Sequence, residues 1–204
     1  VGDLTEPLLG VADEQIAALR GSIDHVFHLA ALYDMTASEE RNELLNVEGT
    51  RHAVALANAL EAGTFHHVSS IAVAGRYDGV FREDMFDEGQ RLDHPYHRSK
   101  FAAERIARTE TAMPWRVYRP AIVVGHSQTG EMDKVDGPYY FFKAIKRASS
   151  VLPSWLPLVG PELGDTNIVP VDYVADAIDA IAHRPGLDRQ AFHLANPEPQ
   201  RCSD

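Results

Sequence analysis

Short apolar runs alternate along this chain with longer stretches whose apolar residues recur every three or four positions. His25-Val26-Phe27-His28-Leu29 reads as a buried strand, residues 65–70 as the next, and residues 115–118 as a third that Arg119-Pro120 stops. Residues 167–170 and 191–194 predict two further short strands. Between them, Leu44, Val47, Ala53, Leu56, Ala57 and Leu60 fall at helical spacing and predict a helix over 39–62. Residues 95–109 predict another, with Pro95 in its first turn. Residues 137–149 read as helical and carry the aromatic cluster Tyr139-Tyr140-Phe141-Phe142. A last helix, over 171–183, shows a stripe of Val174, Ala177, Ile178 and Ile181. The acidic stretch 77–93 predicts a loop, and the proline-rich, apolar stretch 151–164 lines a substrate entrance or covers the sheet.

Strands separated by helices of this length imply right-handed parallel crossovers, hence an α/β doubly wound sheet. In such sheets ligands sit beyond the C-terminal ends of the strands. Ala30-Ala31, Ser70, and the segment from Arg119-Pro120 to Gly125 fall there.

Composition narrows the function classes. A length of 204 residues suffices for one domain with a core of its own. The net charge of −11 argues against nucleic acid or an anionic membrane as main partner, because phosphate binding wants a basic surface. No apolar run approaches the ~18–20 residues of a membrane span. The single cysteine, Cys202, leaves no internal disulfide and points to a reducing, cytoplasmic setting. Ten histidines are scattered without ligand spacing, so no metal site is expected.

The candidate chemistry lies in Ser70 and in Tyr96-His97-Arg98-Ser99-Lys100. Tyrosine and lysine four apart share a helix face, about 6 Å along the axis. Ser70, at the end of an upstream strand, would meet them. Hydride addition to a carbonyl builds negative charge on oxygen, which then takes a proton. Tyr96 would supply that proton, Lys100 would lower the pKa of Tyr96 from its ordinary value near 10, and Ser70 would hold the oxygen. The bland alternatives are a strand-end cap for Ser70 and a solvated helix face for Lys100.

These residues resemble an extended short-chain dehydrogenase/reductase. His28-Leu29-Ala30-Ala31 matches the family's strand motif beside the cofactor, and Asn46-Val47-Glu48-Gly49-Thr50 its NVxGT helix motif. Tyr96 and Lys100 match its YxxxK, Ser70 its serine or threonine, and Arg119-Pro120-Ala121-Ile122-Val123-Val124-Gly125 its RPxxVxG segment. Gly2-Asp3-Leu4-Thr5 is similar to the GDLT segment of thioester and fatty acyl-CoA reductases, and Asn167-Ile168-Val169-Pro170-Val171-Asp172-Tyr173-Val174 to their NxVPVDxV. The run from Gly130 to Phe142 looks most like the N-terminal reductase domain of bacterial two-domain fatty acyl-CoA reductases.

The resemblance implies a Rossmann-like, mostly parallel sheet. It also implies an NADP(H)-dependent oxidoreductase, NAD(H) being the alternative, that reduces a fatty acyl thioester (acyl-CoA) or fatty aldehyde. Ser70, Tyr96 and Lys100 would be catalytic. Asp3, Leu4, Ala30, Ala31, Asn46, Lys100, Pro120 and Val123 would bind the cofactor, and residues 126–204 would form the substrate side. For several of these the plainer role stays open: Asn46 tying helix to strand, Arg119 as structure, Asp172 as a helix cap, and Tyr139 to Phe142 as core.

The family's first three strands and glycine-rich phosphate loop have no counterpart here, so the expectation is a partial domain, cut from a longer chain with a second reductase domain. Its first strand is then a sheet edge. Two other functions remain: a sugar-nucleotide or sterol-type dehydrogenase or epimerase, which the Val169-Pro170-Val171 segment argues against, and a non-catalytic binding module.

Overall fold

In chain order the elements are α1 (Asp13–Leu19), β1 (His25–His28), α2 (Glu39–Asn42), α3 (Gly49–Ala59), β2 (Thr64–Val68) and α4 (Pro95–Thr109). Then come β3 (Trp115–Pro120), β4 (Ile122–Val124), β5 (Asp165–Thr166), β6 (Ile168–Pro170), α5 (Val171–Ala182), β7 (Gln190–Leu194) and β8 (Gln200–Arg201). The structure is a computed structural model and describes residues 1–33, 37–132, 165–198 and 200–201. The chain divides into two units, Val1–Pro120 with Ala177–Leu194, and Ala121–Asp176 with Ala195–Asp204.

In the first unit four parallel strands pair in the order β1-β2-β3-β7. β1 is an edge of this sheet, as expected. The alternation of side chains splits the strands into two faces. Phe65, Trp115, Val117 and Ala191 meet Val54 and Ala57 of α3 and Ile106 and Ala107 of α4 in the core. On the other face Arg116 donates from Nη1 to the carbonyls of Ile181 and Ala182 at the end of α5, and from Nη2 to Asp188 at 2.9 Å. Helices on both faces of a parallel sheet make the doubly wound architecture that the pattern predicts.

Two elements differ from their expectation. β3 does not stop before Arg119-Pro120: it continues through both, with Arg119 opposite His193 and Pro120 opposite Leu194. Proline lacks an N–H but is tolerated at a strand end, and Arg119 is held by buried partners described below. The long helix over 39–62 is real in direction but interrupted, α2 passing through a π-helical turn, Glu43–Glu48, into α3. The extra residue in that turn shifts the apolar face, and Leu44, expected inside, is 45% exposed. α1 has no counterpart in the sequence pattern, because only Ile16 of its seven residues is buried. The predicted helix over 137–149, its aromatic cluster, and the stretch 151–164 lie outside the described residues.

In the second unit β4 pairs in parallel with β6, Val123 opposite Val169, and β5 pairs antiparallel with β8. Asn167 Nδ2 donates to the Asn196 carbonyl at 2.7 Å, and Asn167 Oδ1 accepts from the Asn196 backbone N–H at 2.8 Å. Asp172 accepts from Ser127, from the backbone N–H at 2.9 Å and from Oγ at 2.5 Å, so it braces the 125–130 loop. A cavity of about 400 Å³ is lined by Ile168, Val169, Pro170, Tyr173, Ala195 and Pro197, and by Asn196.

Three histidines sit inside the first unit. His66 is locked between His25 (Nδ1 to Nε2, 2.9 Å) and the Tyr118 hydroxyl (2.8 Å), with Phe27 stacked on it. His28 contacts Thr50 Oγ1 at 3.0 Å through Nε2, and neither ring nitrogen of His67 has a hydrogen-bond partner among the described residues. Burial lowers all three, His28 and His66 to about 4 and His67 well below its ordinary value; Lys100 adds to the effect on His28 and His67, His25 to that on His66.

Two expectations follow for stability. The unfolded chain binds protons at these histidines near pH 6.5 and the folded chain does not, so stability is full above about pH 6.5 and falls as pH drops toward 4. Each depressed histidine can contribute up to ~1.4 kcal/mol per pH unit inside that window. Urea unfolding at pH 7.5, 6 and 5 should show midpoints falling together; a flat profile between pH 7 and 5 would contradict it. Gly75 (φ +50°) ends the turn Ile71–Ala74 behind Ser70, and a Cβ there would collide with the Arg91 carbonyl and Leu92. Gly75→Ala should therefore lower stability by about 1–3 kcal/mol in the same assay.

Candidate active site

The site is built on the start of α4. His94 caps the helix, its Nδ1 accepting from the Tyr96 backbone N–H at 3.1 Å, and Pro95 opens the first turn with its φ already helical. This sets Tyr96 and, one turn later, Lys100 against the C-terminal end of β2. Lys100 Nζ donates to the Val68 carbonyl at 2.8 Å, at the last residue of that strand. Two residues on, Ser70 accepts from the Ala72 N–H at 3.2 Å and so also caps the following turn. Its hydroxyl lies on the Tyr96 side, close enough to act on the phenol's titration, and Tyr33 meets the Tyr96 ring edge-on at 5.4 Å. Ser70, Tyr96 and Lys100 therefore come together at the C-terminal edge of the sheet.

Electrostatics departs from the expectation in one respect. Tyr96 is pushed up to about 12, not down: burial raises it, the Ser70 hydrogen bond opposes, and Tyr33 raises it further. The Lys100 ammonium is turned to the Val68 carbonyl, and desolvation of the phenol is the largest cause of the shift. Lys100 itself is brought down to about 8 by burial, which the charge of Glu104 partly offsets. At neutral pH the proton thus sits on Tyr96, the form a proton donor needs. Lys100 is 3% exposed and makes one hydrogen bond among the described residues, although an ammonium carries three donors. A buried cation with donors to spare suits a ligand rich in hydroxyl groups, such as the ribose of a nicotinamide cofactor.

The other expected residues divide. Ala30 and Ala31 are exposed just beyond β1, and the loop they begin is fixed by Asn46. Asn46 Oδ1 accepts from the Leu32 N–H at 2.6 Å, while Nδ2 donates to the Leu32 carbonyl (3.2 Å) and to Ser99 Oγ (3.0 Å). Its side chain is committed to the protein and ties that loop to α4. Leu4 packs where a Cβ on Gly49 would stand, and its carbonyl meets His52 Nδ1 at 2.9 Å. Asp3 is exposed, its carboxylate accepting from the N–H and hydroxyl of Thr5 at 2.8 and 2.7 Å. Those hydrogen bonds keep Asp3 below its ordinary pKa. Pro120 is buried at the end of β3, and Val123 lies in the second unit, on β4.

Glu104 and Ser69 have no place in the sequence-based expectation, yet they stand directly behind the site. Ser69 Oγ donates to Glu104 Oε2 at 2.6 Å, and Arg119 grips the same carboxylate through Nε and Nη2, the latter at 2.7 Å. A signal for them exists in the chain: Tyr96, Lys100, Glu104 and Arg108 follow at intervals of four, so a charge runs down the inner side of a helix that the apolar pattern buries.

Comparisons with known proteins bear on the family and the fold. Residues 1–178 match the model of an NAD-binding family described as "Male sterility protein". Among curated proteins, the chain is 29% identical to the non-canonical nonribosomal peptide synthetase hkm10 of Aspergillus hancockii, over 96% of this chain and 20% of that protein. It is 30% identical to the non-canonical nonribosomal peptide synthetase FrzA of a Cladobotryum species, over 96% of this chain and 20% of that protein. Among solved structures, the terminal R domain from the myxalamid PKS-NRPS biosynthetic pathway superposes with a TM-score of 0.85 at 31% identity, over 99% of this chain and 51% of that one. A thiolation-reductase di-domain from an archaeal non-ribosomal peptide synthetase shares the fold, with a TM-score of 0.76 at 23% identity, over 100% of this chain and 43% of that one. The chain spans about half of the first of these reductase structures and about a fifth of these two curated relatives. With the parallel sheet, the motif order and a family match over most of its length, the chain belongs to the male sterility protein family of extended short-chain dehydrogenase/reductase domains.

Proposed function

We propose that this chain carries the Ser-Tyr-Lys site of an NADPH-dependent reductase that acts on an acyl thioester or the corresponding aldehyde. The observation that carries the reading is the buried, under-bonded Lys100 ammonium one turn from a protonated Tyr96, with Ser70 beside it. A bound reduced nicotinamide supplies the hydride. Lys100 would hold the cofactor's ribose, and the backbone at Ala30, Ala31 and Pro120, with Asp3 and Leu4, would line its path; Asn46 would act by fixing the 30–32 loop. Ser70 holds the substrate carbonyl oxygen, and Tyr96 delivers its proton to that oxygen as negative charge develops. The binding energy serves mainly to orient the carbonyl against the cofactor.

The substrate side is assigned to residues 126–204, whose described part holds the apolar cavity lined by Ile168, Val169, Pro170 and Tyr173. Apolar walls suit a fatty acyl chain, so acyl-CoA is the first substrate class to try. A second delivery is favoured by the relatives. Several are peptide synthetases and one is a thiolation-reductase di-domain, so the thioester could arrive on a thiolation domain instead of coenzyme A. Either way a further domain in a longer, cytoplasmic protein is part of the proposal.

Three results are expected of the full-length protein. NADPH oxidation should depend on an added acyl thioester, presented either as long-chain acyl-CoA or on a thiolation domain. No oxidation with either thioester or with the aldehyde would refute the reading. Tyr96→Phe should lower kcat by about 10²- to 10⁴-fold while the Kd for NADPH, from calorimetry, stays within about twofold. The pH profile of kcat/KM should fall as pH rises through about 8, where Lys100 loses its charge.

A further inference from the structure

Glu104 is fully buried, at 0% exposure, and so is Arg119 beside it. Burying a carboxylate costs several kcal/mol unless partners compensate. Here they do. Arg119 donates from Nε at 3.1 Å to Oε2 and from Nη2 at 2.7 Å to Oε1; Arg108 adds two bonds to Oε1, at 2.9 and 2.7 Å. Burial pushes Glu104 up, but Arg119, Arg108 and Ser69 together hold it below the ordinary carboxylate range. The anion is therefore permanent at working pH.

Two of its neighbours belong to the candidate site. Ser69, which donates to Glu104 Oε2 at 2.6 Å, is covalently next to Ser70. Lys100 lies one helical turn before Glu104 on α4, on the same inner side. The remaining charged and titratable groups around Lys100 are His28 of β1 and His67 of β2, both neutral at working pH. Those around Glu104 are Arg108 of α4, Arg119 of β3 and, through Arg119 Nη1 at 3.2 Å, His193 of β7. The loop 77–93 contributes the Met85 carbonyl, which accepts from Arg119. Glu104 is thus the one anion facing the Lys100 side of this cluster among the described residues.

We propose that Glu104 is the positioning residue of the site: through Ser69 it tethers the strand end carrying Ser70 to the helix carrying Tyr96 and Lys100, and it stands as the buried countercharge one helical turn from the Lys100 ammonium. The carboxylate touches neither substrate nor cofactor. It sets the Ser70–Tyr96 distance from behind and supplies the field in which Lys100 titrates. The tether role in catalysis rests on the reductase reading above, whereas the charge role does not.

The test uses Glu104→Gln and Ser69→Ala in the full-length protein, with two readouts. The first is the pH dependence of trace acetylation of Lys100, read by mass spectrometry, which needs no activity. Glu104→Gln should lower the apparent pKa of Lys100 by about one unit, as loss of a nearby opposite charge does, and Ser69→Ala should leave it unchanged. The second is steady-state thioester reduction. Ser69→Ala should lower kcat about tenfold with KM for NADPH and the melting temperature nearly unchanged, as a small misplacement of a reacting group does. An unmoved Lys100 titration in folded Glu104→Gln, or wild-type kcat in Ser69→Ala, overturns the proposal. Should Glu104→Gln fail to fold, Glu104→Asp, which draws the same charge back from Lys100 and Ser69 by one methylene, replaces it in both readouts, and Ser69→Ala decides the tether. If the wild type reduces no thioester or aldehyde, the reductase reading falls, and the Lys100 titration still decides the charge role.

Discussion

The contact between Glu104 and Arg119 is the constraint on which the first unit depends. It joins α4 to β3 in the interior, and through Ser69, His193 and Met85 it reaches the end of β2, β7 and the loop 77–93. A buried pair of this kind adds little net stability over an apolar pair of equal size, but losing one partner costs about 3–5 kcal/mol. The surrounding rings fit that picture. Arg108 lies over Phe86 and Trp115, and Arg119 over Phe81, so the guanidinium faces are covered while their edges bond. The network therefore fixes where α4 sits along the sheet, and α4 carries both Tyr96 and Lys100.

Desolvation explains the chemistry that follows. The same packing that makes a core around Phe65, Val117 and Ala107 removes water from Tyr96, Lys100, His28 and His67. Burial disfavours charge, so the phenol keeps its proton and the ammonium holds its own less firmly. Attraction between Lys100 and a tyrosinate, the first expectation from the spacing, is weaker here than this common effect. Glu104 is the counterweight for Lys100, as Ser70 is for Tyr96, and in both cases burial outweighs it. The upward shift of the Tyr96 phenol and the downward shift of the Lys100 ammonium are thus both set chiefly by burial.

Much of the fold is legible because the hydrophobic pattern reports burial directly. The strand at residues 65–70, the helix at 95–109 and the closing helix all stand within a residue or two of their expected places. The departures share one cause, that pattern records facing but not partners. Arg119-Pro120 reads as a stop because arginine and proline disfavour a strand interior, and only the buried carboxylate of Glu104 makes Arg119 welcome there. Leu44 reads as internal on the assumption of a regular helix, and the π-helical turn rotates it outward. His94 does not read as a cap because serine, threonine, aspartate and asparagine are the usual choices.

The sequence by itself determined the order of the strands and helices that make the main sheet, the family, and the placing of Ser70 at a strand end and of Tyr96 and Lys100 on one helix face. Helical spacing and strand ends are one-dimensional facts, and a motif inherits its place from them. Only the tertiary structure decided the sign of the Tyr96 shift, the commitment of Asn46 to the loop at Leu32, and the stationing of Glu104 and Ser69 behind the site. Desolvation and buried hydrogen bonding depend on which groups from distant segments close around a residue, and no local pattern along the chain carries that information.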